Sequence, residues 1–202
     1  MNRNESEVDL LDLISAMKET SDPIMYQYFK GLERNELMIT GGIDSSAIEM
    51  YVLPLMEWDK DKSVKEIKIY INSYGGSVFE GMAIADIISK LKTKTTVELL
   101  SYGYSMGMFI VLGGANNPNV NVVCHEFSTG LIHSGSTSLS GDSSTVDDTL
   151  DFYRVFNEKM EAFMISNTKL TKEKLKKMKR VEWYLTSDKM LEYGIVNEII
   201  QF

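Results

Sequence analysis

The chain reads as an α/β protein, and three stretches carry that reading. Glu66-Ile67-Lys68-Ile69-Tyr70-Ile71-Asn72 alternates polar and apolar residues as a half-buried strand does, and Thr95 to Leu100 is a second extended run. Between them lie the Gly-rich turn Ser73-Tyr74-Gly75-Gly76-Ser77 and a helical stretch from Val78 to Lys92. In that stretch Val78, Met82, Ile84, Ile87, Ile88 and Leu91 recur at helical period. Strand, turn, helix and strand in this order make a βαβ unit, with a right-handed crossover expected. The third stretch is Ser101-Tyr102-Gly103-Tyr104-Ser105-Met106-Gly107-Met108, where the β-rich run gives way to a helical one and one serine stands between two glycines.

The remaining elements follow from the N-terminus. Residues 5–17 place Val8, Leu11 and Ile14 at helical spacing, widened by Leu10, Leu13 and Met17, which predicts a short amphipathic helix. It docks either on its own domain or on a neighbouring subunit. Ser21-Asp22-Pro23 punctuates the chain, and Tyr26 to Lys30 reads as the start of an extended segment. Glu36 to Thr40 reads as a strand ended by Gly41-Gly42. Asp44 is the expected N-cap of a helix through Ala47, Ile48, Tyr51, Val52, Leu55 and Met56, which Pro54 must bend or break. Val120 to Val123 and Leu131-Ile132 supply further short strands. The polar loop Ser134 to Ser144 is either a connector or an extended strand able to pair with a peptide. Behind it, Val146, Leu150, Tyr153, Phe156, Met160 and Phe163 form one stripe of a long helix, flanked by Phe152, Val155 and Met164. A stripe this wide exceeds what one packing surface needs and predicts burial against a second subunit. A basic helix near Lys172 to Met178, a short helix after Ser187 and a strand from Ile195 to Ile200 complete the chain.

Composition narrows the function classes. The 202 residues suit one domain of good size, and 25% charged residues with no long apolar run exclude a membrane span. The N-terminus carries acids and no apolar core, so a cytoplasmic protein is expected. A single cysteine, Cys124, rules out an intramolecular disulfide, and with two histidines a Cys/His zinc site lacks ligands. A net charge of −8 disfavours nucleic acid as partner, because phosphate binding needs basic clusters.

Ser105 is the candidate nucleophile. A serine on a strand-to-helix turn is held at the mouth of a site, beside backbone N–H groups able to stabilise an oxyanion. The same residue could instead cap the following helix. Nucleophilic serine needs a base and an acid to orient it. Of the two histidines, His133 follows Leu131-Ile132 and precedes the Ser/Gly-rich loop, where a strand delivers a side chain to a site. His125 lies at a strand end or turn and reads as structural. An α/β-hydrolase would need an acid between serine and histidine in chain order, and Glu126 is the sole acid there. The order serine, histidine, acid is therefore favoured.

From about Tyr26 to Ile200 the chain resembles the proteolytic subunit of the ATP-dependent Clp protease. The family's N-S-P-G-G turn appears as Asn72-Ser73-Tyr74-Gly75-Gly76, its A-S-M-G as Tyr104-Ser105-Met106-Gly107, and its M-I-H as Leu131-Ile132-His133. Leu185-Thr186-Ser187 through Glu192-Tyr193-Gly194-Ile195-Val196 is similar to the family's closing segment. The resemblance implies a ClpP/crotonase-like spiral of βαβ units with a protruding handle helix over residues 26–202, behind an N-terminal extension of residues 1–25. It also implies serine peptidase activity, with Ser105, His133 and Glu182 as the triad and the N–H groups of Gly76 and Met106 as the oxyanion hole. Gly75, Ser134 and Gly135 would contact substrate. Unfolded polypeptides or peptides are the implied substrates, a homo-heptamer is the implied assembly, a Clp-type ATPase is a candidate partner, and peptide hydrolysis needs no cofactor or metal.

Four positions depart from the family pattern. Tyr74 replaces the proline of the turn, and Glu182 stands where the family has Asp. Arg180-Val181 replaces an Asp-Arg pair that links rings, which puts the stacking of two rings in question. The first 25 residues do not match the axial hairpin, which weakens the ATPase expectation. Such changes are similar to those of phage-type members. Two other readings compete: a non-catalytic ring subunit or scaffold, and acyl-CoA chemistry on a crotonase-like spiral, which does not require this serine–histidine pair.

Overall fold

A computed structural model describes residues 22–133, 140–178 and 182–201. The helix expected over residues 5–17, Ser134 and Gly135, most of the polar loop and the Arg180-Val181 pair lie outside the described residues. Among the described residues seven strands form one sheet, whose main path runs β1 (Glu36–Ile43), β2 (Ile67–Gly76), β3 (Thr95–Tyr104), β4 (Val120–His125) and β7 (Glu198–Ile200), all parallel. β5 (Thr129–Ile132) pairs with the far end of β3, and β6 (Trp183–Thr186) pairs antiparallel with β5. Consecutive neighbours linked by helices make the α/β spiral that the sequence predicts.

The core lies on one face of this sheet. Leu37 and Ile39 of β1, Ile67, Ile69 and Ile71 of β2, Val97 and Leu99 of β3, and Val122 and Cys124 of β4 are all fully buried there. Against them pack α3 (Val78–Ile88) and α4 (Met106–Gly114), and every residue of α4 is buried. Burying a large aliphatic side chain is worth about 1.5–3 kcal/mol, so α4 is held by its whole surface and its first residue is fixed in space. Gly107 permits the close seat: a Cβ there would lie 2.5 Å from the Ser73 carbonyl oxygen. Cys124 sits in this core, and burial pushes its thiol up to about 11, which leaves it an inert packing residue.

Three expectations need correction. Tyr26 to Lys30 is not extended but lies within α1 (Pro23–Leu32). The Asp22 carboxylate accepts the Ile24 N–H at 2.8 Å, and Pro23 occupies the first helical turn, where its missing N–H costs nothing. β1 does not stop at Gly41-Gly42 but runs to Ile43, with a register shift between the two glycines. Asp44 does not cap a regular helix directly: its carboxylate accepts from the Ser46 N–H and hydroxyl, and a π-helical turn, Ile48–Val52, precedes α2 (Leu53–Lys60). That turn answers Pro54. The Met50 carbonyl, which Pro54 cannot serve with an N–H, instead accepts the Tyr28 hydroxyl at 2.9 Å. Partial burial pushes that hydroxyl up to about 12, so it remains a donor across the physiological range.

The long helix is α5 (Ser143–Ser166), in which Met164 alone is buried. Leu150, Phe152 and Val155 remain exposed on the single chain, although Phe152 and Phe156 gather around Phe79 of α3 with centroids 6.2 and 5.3 Å away. Asp142 caps α5 by accepting the Thr145 N–H at 2.9 Å. Its bonds from Ser144 and Thr145 hold its carboxyl at about 2, below the ordinary 3.8. A depressed carboxyl stabilises the fold fully above its unfolded value and loses that contribution as pH falls through the folded one. The first turn of α5 is therefore expected to fray between about pH 4 and pH 2, which amide hydrogen exchange at Thr145 and Val146 measures; Asp142→Ala should abolish that pH dependence. Downstream, α6 (Lys172–Met178) and α7 (Ser187–Glu192) fall where the sequence predicts them.

Candidate active site

The site is assembled where three strands end. β3 pairs with β4 only as far as Leu99, after which β4 leaves it, turns at Glu126 to Ser128 and returns as β5 beside Tyr102–Tyr104. Ser128 fixes the junction: its buried hydroxyl lies 2.9 and 3.0 Å from the Leu99 and Leu100 carbonyls and accepts the His125 N–H at 2.9 Å. The return brings the end of β5 against Ser105, whose N–H donates to the Leu131 carbonyl at 2.8 Å. His133 follows two residues later, half-buried.

Ser105 is held at φ 54°, ψ −121°, a conformation that non-glycine residues adopt only under constraint. Its carbonyl starts α4 by accepting the Met108 N–H at 3.0 Å, while its hydroxyl makes no capping bond to that helix. The capping role for Ser105 is thereby removed. Met106 is the first residue of α4, so its N–H is among those without an intrahelical acceptor. The end of β2 closes on the same turn. A Cβ on Gly75 would lie 2.9 Å from Ser105 Cβ and 2.8 Å from Met106 N, and Gly75 has φ 92°. Gly76, at φ 150°, lies against Ile43 of β1. The buried Ser73 hydroxyl locks this end, donating to the Gly41 carbonyl at 2.6 Å and accepting the Gly75 N–H at 3.0 Å. Tyr74 is 60% exposed beside it, its hydroxyl lying over Gly42.

The third strand is β6, which begins just after Glu182. β5 and β6 pair as Leu131 with Tyr184 and Ile132 with Trp183, the last pair of the ladder, and His133 and Glu182 are the next residues beyond it on the two chains. Glu182 is exposed, and its carboxylate accepts the Tyr184 hydroxyl at 3.1 Å, a bond that raises the tyrosine above the ordinary phenol value. Among the described residues no hydrogen bond joins the Ser105, His133 and Glu182 side chains to one another. His125 is engaged elsewhere: its Nε2 lies 2.9 Å from Glu98 Oε1 on β3. Among the described residues no cluster of three or more His, Cys, Asp or Glu side chains forms a metal cage, and no helix is long and apolar enough to cross a membrane.

Tyr184 is a residue of this site that the sequence reading passed over. The signal was present in Glu182-Trp183-Tyr184, since alternate residues of a strand share a face. Tyr104, immediately before Ser105, packs against both Tyr102 and Tyr184, with centroids 5.1 and 6.3 Å away.

An α/β spiral with a strained serine turn between strand and buried helix defines the class of this protein. The sequence model of the Clp protease family matches residues 19–202, and the chain belongs to that family. Among its relatives is the ATP-dependent Clp protease proteolytic subunit of Streptococcus sanguinis, 26% identical over 179 residues, with 86% of this chain and 88% of the relative covered. The ATP-dependent Clp protease proteolytic subunit 1 of Borreliella burgdorferi is 25% identical over 173 residues, at the same coverage.

Proposed function

We propose that this chain is a serine endopeptidase in which Ser105 attacks a peptide carbonyl, His133 takes its proton and Glu182 orients the imidazole. The observation that supports the reading is strand pairing: the Ser105 N–H donates to the Leu131 carbonyl of β5, and β5 pairs with β6 so that the strand ends next to His133 and Glu182 lie side by side. The N–H groups of Gly76 and Met106 act as the oxyanion hole. His133 then returns its proton to the leaving amine, and water resolves the acyl-enzyme. The end of β2 at Gly75, together with Ser134 and Gly135, is proposed to take the substrate backbone. Membership of the Clp protease family and the names of its relatives support polypeptide substrates. Turnover of a fluorogenic peptide, blocked by a serine-directed reagent, tests this reading, and a non-catalytic ring subunit would show none.

The active form is a ring, a homo-heptamer, in which the exposed apolar residues of α5 are covered by a neighbouring subunit. A Clp-type ATPase would deliver unfolded chains to it. Sedimentation at micromolar concentration is expected to give a ring-sized species, whereas a monomer would overturn the assembly. Alanine at both Phe152 and Val155, each about half exposed in the single chain, should shift the protein toward smaller species.

A further inference from the structure

Glu182 is exposed, and a glutamate carboxylate on three rotatable bonds loses considerable freedom when it is held in one place. The triad asks it to stay on the face of β6 that looks toward His133. Tyr184, the second residue of β6, reaches back and donates its hydroxyl to Glu182 Oε2, just before the strand. The ring is 61% exposed and contributes little to the core, yet it is not idle: it meets Tyr104 edge to face at 87°. The Tyr104 hydroxyl in turn lies 3.0 Å from Thr129 Oγ1, so Tyr104 is tied to β5 as well as to the serine turn. Acid, tyrosine pair and serine strand thus form one connected set.

We propose that Tyr184 is a positioning residue for Glu182, its hydroxyl holding the carboxylate on the His133 side of β6 and its ring anchoring that contact to the strand that ends in Ser105. The inference rests on the triad reading above. Its chemistry is orientation alone: Tyr184 touches no reacting atom and acts only through the carboxylate. Tyr184→Phe keeps the ring and its contact with Tyr104 and removes only the hydroxyl.

The test compares the intact, assembled parent with Tyr184→Phe, Glu182→Ala and the double variant. The readouts are kcat and KM for a fluorogenic peptide, together with the rate of fluorophosphonate labelling. Tyr184→Phe is expected to lower kcat about tenfold, the size of a lost hydrogen bond to a charged group, with KM within about twofold. In the Glu182→Ala background the same change should alter the labelling rate less than about twofold, because nothing remains to be positioned. Parental kcat in Tyr184→Phe, or an equal loss in both backgrounds, would overturn the proposal while leaving the triad standing. Parental rates in Glu182→Ala would instead remove the triad reading, and this proposal with it.

Discussion

Ser105→Ala is expected to abolish peptide hydrolysis, with a loss on the order of 10⁶ in kcat, the cost of removing the nucleophile from a serine protease. The fold should survive the change. The features that hold residue 105 at φ 54° are backbone ones: its N–H bonds Leu131 and its carbonyl starts α4, which is buried along its whole length. Alanine occupies the same backbone conformation at similar cost, and the serine hydroxyl makes no capping bond to α4 whose loss would matter. Thermal unfolding and sedimentation of the variant should therefore match the parent while turnover disappears. Turnover at the parent rate in an equally folded variant would assign the nucleophile elsewhere.

Glu182→Gln is expected to cost on the order of 10² or more in kcat. The change preserves size and removes the charge that stabilises the imidazolium. In serine proteases the loss of that charge costs on the order of 10⁴. A smaller loss is expected here because Glu182 is exposed, so its starting contribution is diluted by solvent. Glu182→Asp should retain measurable activity, since the shorter side chain keeps the charge at position 182. If Glu182→Gln cleaves peptide at the parent rate in an equally assembled ring, the site is a dyad or recruits another carboxylate.

Periodicity made the centre of the fold legible, because β2, α3 and β3 each bury one regular face and write that face into the sequence. Element ends were less legible where glycine intervened. Gly41-Gly42 and Gly75-Gly76 read as strand terminators, yet β1 runs past the first pair and β2 includes the second, because ladder hydrogen bonds belong to the backbone and need no side chain. Helix α1 was hidden by the opposite error: Pro23 reads as punctuation, but after an Asp22 cap it begins a helix.

The serine turn was readable from Gly-x-Ser-x-Gly between an extended and a helical run. The nearness of the chain at His133 and at Glu182 was not readable from the residues, because it depends on β5 and β6 pairing antiparallel across 50 residues of intervening chain, between Ile132 and Trp183. Only family resemblance indicated that acid. The role of His125 followed a similar course: its sequence position suggested a structural residue, and the partner, Glu98, appears only once β3 and β4 are laid side by side.

The most direct measurement is fluorophosphonate labelling of the intact, assembled protein, with the adduct mapped by mass spectrometry. A serine hydroxyl reacts readily with this reagent only when a base activates it and an oxyanion hole receives the developing charge. Labelling at Ser105 alone, abolished in Ser105→Ala and slowed in Glu182→Gln, is the predicted result. An adduct at another serine, or none on the assembled protein, would contradict it.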